Sequence, residues 1–221
     1  MKTKILERKI EQETYNIIDE LSEELNLPVP FYPEVYYINR KSKFETLGLP
    51  KRGWEDFELV KKYKNSLCSN RPPIILIGDK DIGHISEEAG HFLHFISSKL
   101  TFSQKDSKNL FALYSLTEML GFFCSKLIDS NRKNIFNKYP DIINEKEKCM
   151  KKIEKSEYEP KEFFIYQQGY GLGERLFNAY ISKEISRHKI QELFKQKFDT
   201  PNEAFFTFSK LKYKTLNHKF V

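Results

Sequence analysis

Between Arg71-Pro72-Pro73 and Gly78-Asp79 stand four consecutive apolar residues, Ile74-Ile75-Leu76-Ile77. The run is too short for a helix, apolar on both faces and bounded by chain breakers, so it reads as a short buried strand. Glu34-Val35-Tyr36-Tyr37-Ile38, β-branched and aromatic, reads as a second strand. The rest is mainly helical in pattern. Residues 4–25 carry Ile5, Ile10, Ile17, Ile18, Leu21 and Leu25 at near-helical spacing, and the prolines of Leu27-Pro28-Val29-Pro30 stop that helix. A loop over 48–53 leads to a helix over 54–67, with Phe57, Val60 and Tyr63 on one side. Helices are expected over 83–100 and, after a polar break at 103–107, over 110–128. The latter is apolar enough to be central. Residues 129–160, rich in Lys and Glu, read as irregular or helical and exposed. Pro160 opens a helix to about Arg187, and two more follow near 189–197 and 201–214, the last started by Thr200-Pro201-Asn202-Glu203. The order predicts an α+β fold, mostly helical, as one domain over 1–221. Its parts are an N-terminal helix (1–30), a strand–helix–strand segment (31–82) and a helical part (83–221).

Several function classes are set aside by composition. Nineteen Phe and twelve Tyr supply large rings for a core, which argues against global disorder. Cys68, Cys124 and Cys149 are odd in number and far apart, without a C-x-x-C pair, so neither a disulfide framework nor a thiolate zinc site is indicated. The first residues, Met1 to Arg8, run straight into a charged helical pattern, without the apolar core of a signal peptide. No apolar run approaches the ~18 residues of a spanning helix. The expectation is a soluble, cytoplasmic protein without a membrane partner; its oligomeric state is left open. The net charge is +6, but Lys is scattered among Glu, so nucleic acid is not the expected partner.

The segment from His84 to Ser98 carries the densest chemistry. At about 100° per residue, His84, Glu87, Glu88, His91, Phe95 and Ser98 fall within about one third of a helix circumference. His94 lies at the margin, next to Glu87. Phe92, Leu93, Phe95 and Ile96 surround this polar stripe, so the helix is expected to be mostly buried. Carboxylates and imidazoles on a buried face are costly unless compensated, and a divalent metal compensates them efficiently. Residues four apart stand one helical turn apart, so Glu87 and His91 can both reach one ion. Equally, Glu and His are common on solvated helix faces, and E-x-x-x-H alone is a weak pattern. Farther on, Glu118 is the only acidic residue between Leu110 and Ile128. A carboxylate on an apolar helix calls for a cation, a cap or a metal.

The local sequence Glu87-Glu88-Ala89-Gly90-His91 resembles the H-E-A-G-H form of the zincin motif H-E-x-x-H with Glu in place of the first His. Leu116-Thr117-Glu118-Met119-Leu120-Gly121-Phe122 resembles the E-x-x-A/G-x-aromatic pattern of the gluzincins, and the nearest named group is the single-domain minigluzincins. The resemblance spans roughly residues 30–215. It implies a zincin-like domain with a small sheet before the active-site helix, and a metallopeptidase acting on a peptide or protein substrate. It also implies one divalent metal, zinc first, held by Glu87, His91 and Glu118, with Glu88 as general base. Glu174 and His94 are the alternative ligands. Tyr166-Gln167-Gln168-Gly169-Tyr170-Gly171-Leu172 is similar to a glycine-containing helix of small zincin-like families, which implies that Tyr170 steadies an oxyanion. A Glu at position 87 makes the donor set harder than two imidazoles would, which weakens zinc.

Three rival functions stay open at this point. The chain could be a zincin scaffold kept as an inactive binding module. It could be a ferritin-like di-metal bundle built on Glu88-x-x-His91 with Glu118 and Glu174, although no second E-x-x-H is present, Glu184 and His188 being four apart. Or it could bind nucleic acid through the Lys-rich stretches 146–155 and 209–219.

Overall fold

In the computed structural model, the residues described are 2–49, 53–70, 73–79, 84–99, 107–133 and 158–197. Among them the chain forms, in order, helix α1 (Lys2–Leu25), strand β1 (Glu34–Ile38), helix α2 (Phe44–Leu47), helix α3 (Trp54–Tyr63), strands β2 (Leu67–Asn70) and β3 (Pro73–Gly78), helix α4 (Ile85–Ser98), helix α5 (Ser107–Ile128), helix α6 (Tyr158–Ile181) and helix α7 (Arg187–Phe194). It is an α+β chain in which helix dominates. It divides into two compact units, Met1–Thr101 and Phe102–Val221.

The first unit is built around β3. The sheet order is β1-β3-β2, with β1 parallel and β2 antiparallel to the central strand. Because β3 has neighbours along both edges and helices over both faces, Ile74 to Ile77 are all buried, which is why the run is unbroken rather than alternating. Strand periodicity then sorts the faces. Ile74 and Leu76, with Ile38 of β1, join Phe57 and Val60 of α3 and Leu49 in one core cluster, and Tyr36 and Leu67 pack against it. Tyr36 and Leu67 are the residues registered with Leu76 from either side. Ile75 and Ile77 therefore face the other way, where α1 and α4 pack against each other and against the sheet. Cys68, registered with Ile75, shares that second face.

Local chemistry ends these elements. Asn26 adopts a left-handed φ of 50° after α1, and the Leu27 N–H donates to the Ser22 carbonyl just before Pro28. After α3, Lys64 is left-handed at φ 62° and its N–H donates to the Val60 carbonyl. That tight exit lies over Gly78: a Cβ at position 78 would stand 2.3 Å from the Asn65 carbonyl oxygen and 2.4 Å from that of Lys64. Only glycine fits the end of β3. Lys99 closes α4 in the same left-handed manner, donating to the Phe95 carbonyl.

In the second unit, α5 and α6 pack along their lengths. Gly169 lies against Glu118, Gly173 against Met119 and Phe122, and the Tyr180 ring meets Phe123 edge-on at 5.8 Å. The contacts advance together along both helices, so α5 and α6 run parallel. The buried Lys126 donates to the Ser130 and Arg132 carbonyls at 2.6 and 3.1 Å, and so holds the chain just past the end of α5. The helix α7 starts at Ser186, whose hydroxyl accepts from the Lys189 N–H.

Both expected strands and the helices at 4–25, 83–100 and 110–128 are present within a few residues of their expected ends. The expected helix over 54–67 stops at Tyr63, and Leu67–Asn70 is strand β2. This is a correction: pairing with β3 outweighs a weak local helical pattern. The expected helix to about Arg187 ends at Ile181, and α2 was not anticipated. Most of the charged stretch 129–160 and the expected last helix over 201–214 lie outside the described residues. No described helix is long and apolar enough to cross a membrane.

Candidate metal centre

The α4 helix is the most deeply buried in the first unit. Every residue from Ile85 to Phe95 is buried, including its polar ones. The apolar side is made by Ile85, Ala89, Phe92 and Leu93, none more than 1% exposed, and Phe31 packs edge-on against Phe92 at 6.1 Å. These anchors hold the polar stripe inside the protein. Glu87 is 4% exposed, Glu88 6% and His91 7%. Glu87 and Glu88 stand in the first turn of α4, where the partial positive charge of unsatisfied N–H groups favours carboxylates. The α5 helix contributes Glu118, 7% exposed among residues that are otherwise almost wholly apolar from Leu116 to Cys124.

Glu87, His91 and Glu118 each offer one ligand atom, and these three atoms lie within 4.8 Å of one another. Among the described residues this is the one group of three or more His, Cys, Asp or Glu side chains so placed. Two donors at about 2.0–2.2 Å from one ion stand at most about 4.4 Å apart, so a group whose atoms lie within 4.8 Å needs a small closing shift of its side chains to hold one divalent ion. Two carboxylate oxygens and one imidazole nitrogen form a donor set that suits zinc as well as harder first-row ions.

Of the remaining expected residues, Glu88 is buried beside Glu87 on α4. His94 is wholly buried one turn farther along the same helix, and the Ser98 hydroxyl donates to its carbonyl at 2.6 Å. Glu174 is half-buried on α6. The Tyr170 ring stacks on Phe122 of α5, with centroids 4.5 Å apart and planes 21° apart. Arg132 lies over the same Phe122 ring at 5.5 Å.

Cys68 was not among the expected site residues. Burial pushes its thiol well above the ordinary range, and the charges of Glu88 and Asp56 push it further. The thiol is thus held neutral on the sheet face that α4 covers. Its position could not be read from the sequence because the expected helix ran on to Leu67 and no strand was expected after it; the register with Ile75 alone places it there.

No protein family, curated protein or solved structure shows a significant match to this chain.

Proposed function

We propose that this protein is a metal-dependent hydrolase of the zincin-like, gluzincin kind, cleaving amide bonds of peptide or protein substrates. The observation that carries the reading is the group of three buried ligand atoms, from Glu87, His91 and Glu118, within 4.8 Å of one another. A stripe of this chemistry inside a helix anchored by Ile85, Phe92 and Leu93 is costly to bury, and a divalent cation offsets that cost. The strand β3 running into α4 agrees with the arrangement that the H-E-x-x-H resemblance implies.

In this proposal Glu87, His91 and Glu118 would hold one divalent ion, zinc first. Bound there, the ion would supply Lewis acidity to the scissile carbonyl and to water. Glu88 would accept a proton from the water as the water oxygen bonds to the carbonyl carbon, then deliver that proton to the leaving amine as the C–N bond breaks. The carboxylate is thereby restored. Tyr170 is proposed to donate to the oxyanion formed at the carbonyl oxygen.

The test begins with metal. Full-length protein purified without a tag should hold about one metal per chain after reconstitution with zinc, manganese or iron. His91→Ala should lower that content sharply, whereas Glu88→Gln should keep the metal and abolish hydrolysis of a peptide library. Failure to bind any of these ions would end the reading. Metal uptake that appears only in Glu87→His would establish instead an inactive binding protein on the same scaffold, the alternative that the glutamate at position 87 favours.

A further inference from the structure

Gly169 stands near the middle of α6, where glycine is unfavourable relative to alanine. Its place in the packing supplies a reason. A Cβ at position 169 would fall 2.2 Å from the Cβ of Glu118 and 3.1 Å from the Glu118 carbonyl carbon and the Met119 nitrogen. No side chain of any size fits, so the α6 backbone rests directly on the root of the Glu118 side chain. One turn later Gly173 makes a similar approach to different partners: its Cβ would meet the Met119 carbonyl oxygen at 2.6 Å and the Phe122 Cβ at 3.1 Å. Between the two glycines, Tyr170 stacks on Phe122. That stacking fixes the rotation of α6 about its own axis, and with it keeps the bare face of Gly169 toward Glu118.

We infer that Gly169 is a positioning residue for the metal ligand Glu118. Its backbone denies the Glu118 side chain any room on the α6 side and so confines the carboxylate to directions that leave α5 elsewhere. Free rotation of Glu118 would have to be frozen at the moment an ion binds; close packing freezes it beforehand. This inference rests on the metal-centre reading above and deepens it. It separates the two glycines, which share one helix and one kind of packing but differ in what they touch.

The experiment is a metal titration of the full-length protein with Zn²⁺ by calorimetry, and with Co²⁺ by visible absorption, for the wild type, Gly169→Ala, Gly173→Ala and Glu118→Ala. Apo-protein melting is measured alongside. Both glycine variants are expected to melt lower than the wild type. Only Gly169→Ala should also lose metal affinity, by about 10- to 100-fold, the range for residues that support a ligand, and shift the Co²⁺ spectrum. Equal affinity losses in the two glycine variants, or an unchanged affinity in Gly169→Ala, overturn the positioning role while leaving the metal centre standing. A wild type without metal affinity overturns both. Should Gly169→Ala not fold, hydrogen exchange in the wild type decides. Zn²⁺ should slow exchange of the amides at 169–173 by more than the general slowing seen at 187–194, and slowing at 169–173 no greater than that refutes the inference.

Discussion

Metal should raise the melting temperature by an amount set by linkage and chain size. Glu87, His91 and Glu118 are all buried, so their convergence exists only in the folded chain and the ion gains little by binding the unfolded one. At a free ion concentration of a hundred times Kd, a ligand specific to the folded state stabilises it by about 2.7 kcal/mol. For a chain of 221 residues, each kcal/mol moves the midpoint by about 2–4 °C, giving a rise of about 5–11 °C. Removing one ligand and weakening binding a hundredfold leaves, at the same concentration, about 0.4 kcal/mol, or a rise of about 1–2 °C. Scanning fluorimetry of the chelator-treated protein with added Zn²⁺, Mn²⁺ or Co²⁺ measures both. His91→Ala and Glu118→Ala should each lose most of the shift. His188→Ala should keep it, because that imidazole is 79% exposed and pairs with Glu192 at the surface at 3.4 Å. An undiminished shift in His91→Ala, or no shift in the wild type with any of the three ions, would refute the reasoning.

Three further outcomes are expected. Gly78→Ala should destabilise the protein by ~3 kcal/mol or more, above the usual range for overpacking, because the new methyl meets the Lys64 and Asn65 carbonyls rather than a yielding side chain; a urea midpoint close to wild type would show that the α3 exit moves freely. Tyr15 and Tyr36 are both raised to about 12, by burial first and then by Glu11 and by Glu34 respectively. The native state therefore keeps these phenol protons after the unfolded state has shed them, so they add stability that is full below about pH 10 and lost as pH rises toward 12; ultraviolet titration showing both ionising with exposed tyrosines contradicts this. Burial also holds the Cys68 and Cys124 thiols neutral, with Glu88 and Asp56 adding to the effect at Cys68. Iodoacetamide at pH 8 should label both far more slowly in native protein than in guanidinium, as read by peptide mass, and labelling of Cys124 at the rate of a free thiol would be the contrary result.

What the sequence made legible is the structure whose signal is local. The unbroken Ile74–Ile77 run between prolines and glycine could be a buried strand and little else, and Glu34–Ile38 pairs with it residue for residue. The prolines after Leu25 and the apolar surfaces of α4 and α5 likewise mark themselves. The β2 strand did not. Leu67-Cys68-Ser69-Asn70 has no strong strand preference of its own and exists as a strand because β3 offers it a free edge. Its side chains sort correctly only once the register is known: Leu67 goes to the α3 core, and Cys68 to the face beneath α4. A pairing between separate segments leaves almost no trace in either one.

The candidate site divides along the same line. Glu87 and His91 are one helical turn apart, so their common face follows from arithmetic on the sequence. Glu118 stood out through the gluzincin-like pattern around it and as an acid where none should be, on a helix whose neighbours are Leu, Met and Phe. That anomaly signals that a compensating group exists without naming it, and the nearness of Glu87 and His91 is what makes it a candidate ligand. Gly169 carries less still, since a glycine in a helix can mark a kink, a cap or a close approach. Its meaning lies in the 2.2 Å that would separate an added Cβ from that of Glu118, a distance fixed by two helices packed in parallel across a long stretch of intervening sequence. Residues that donate to a site therefore announce their chemistry in the sequence, whereas residues that aim those donors do so only through the space they leave empty.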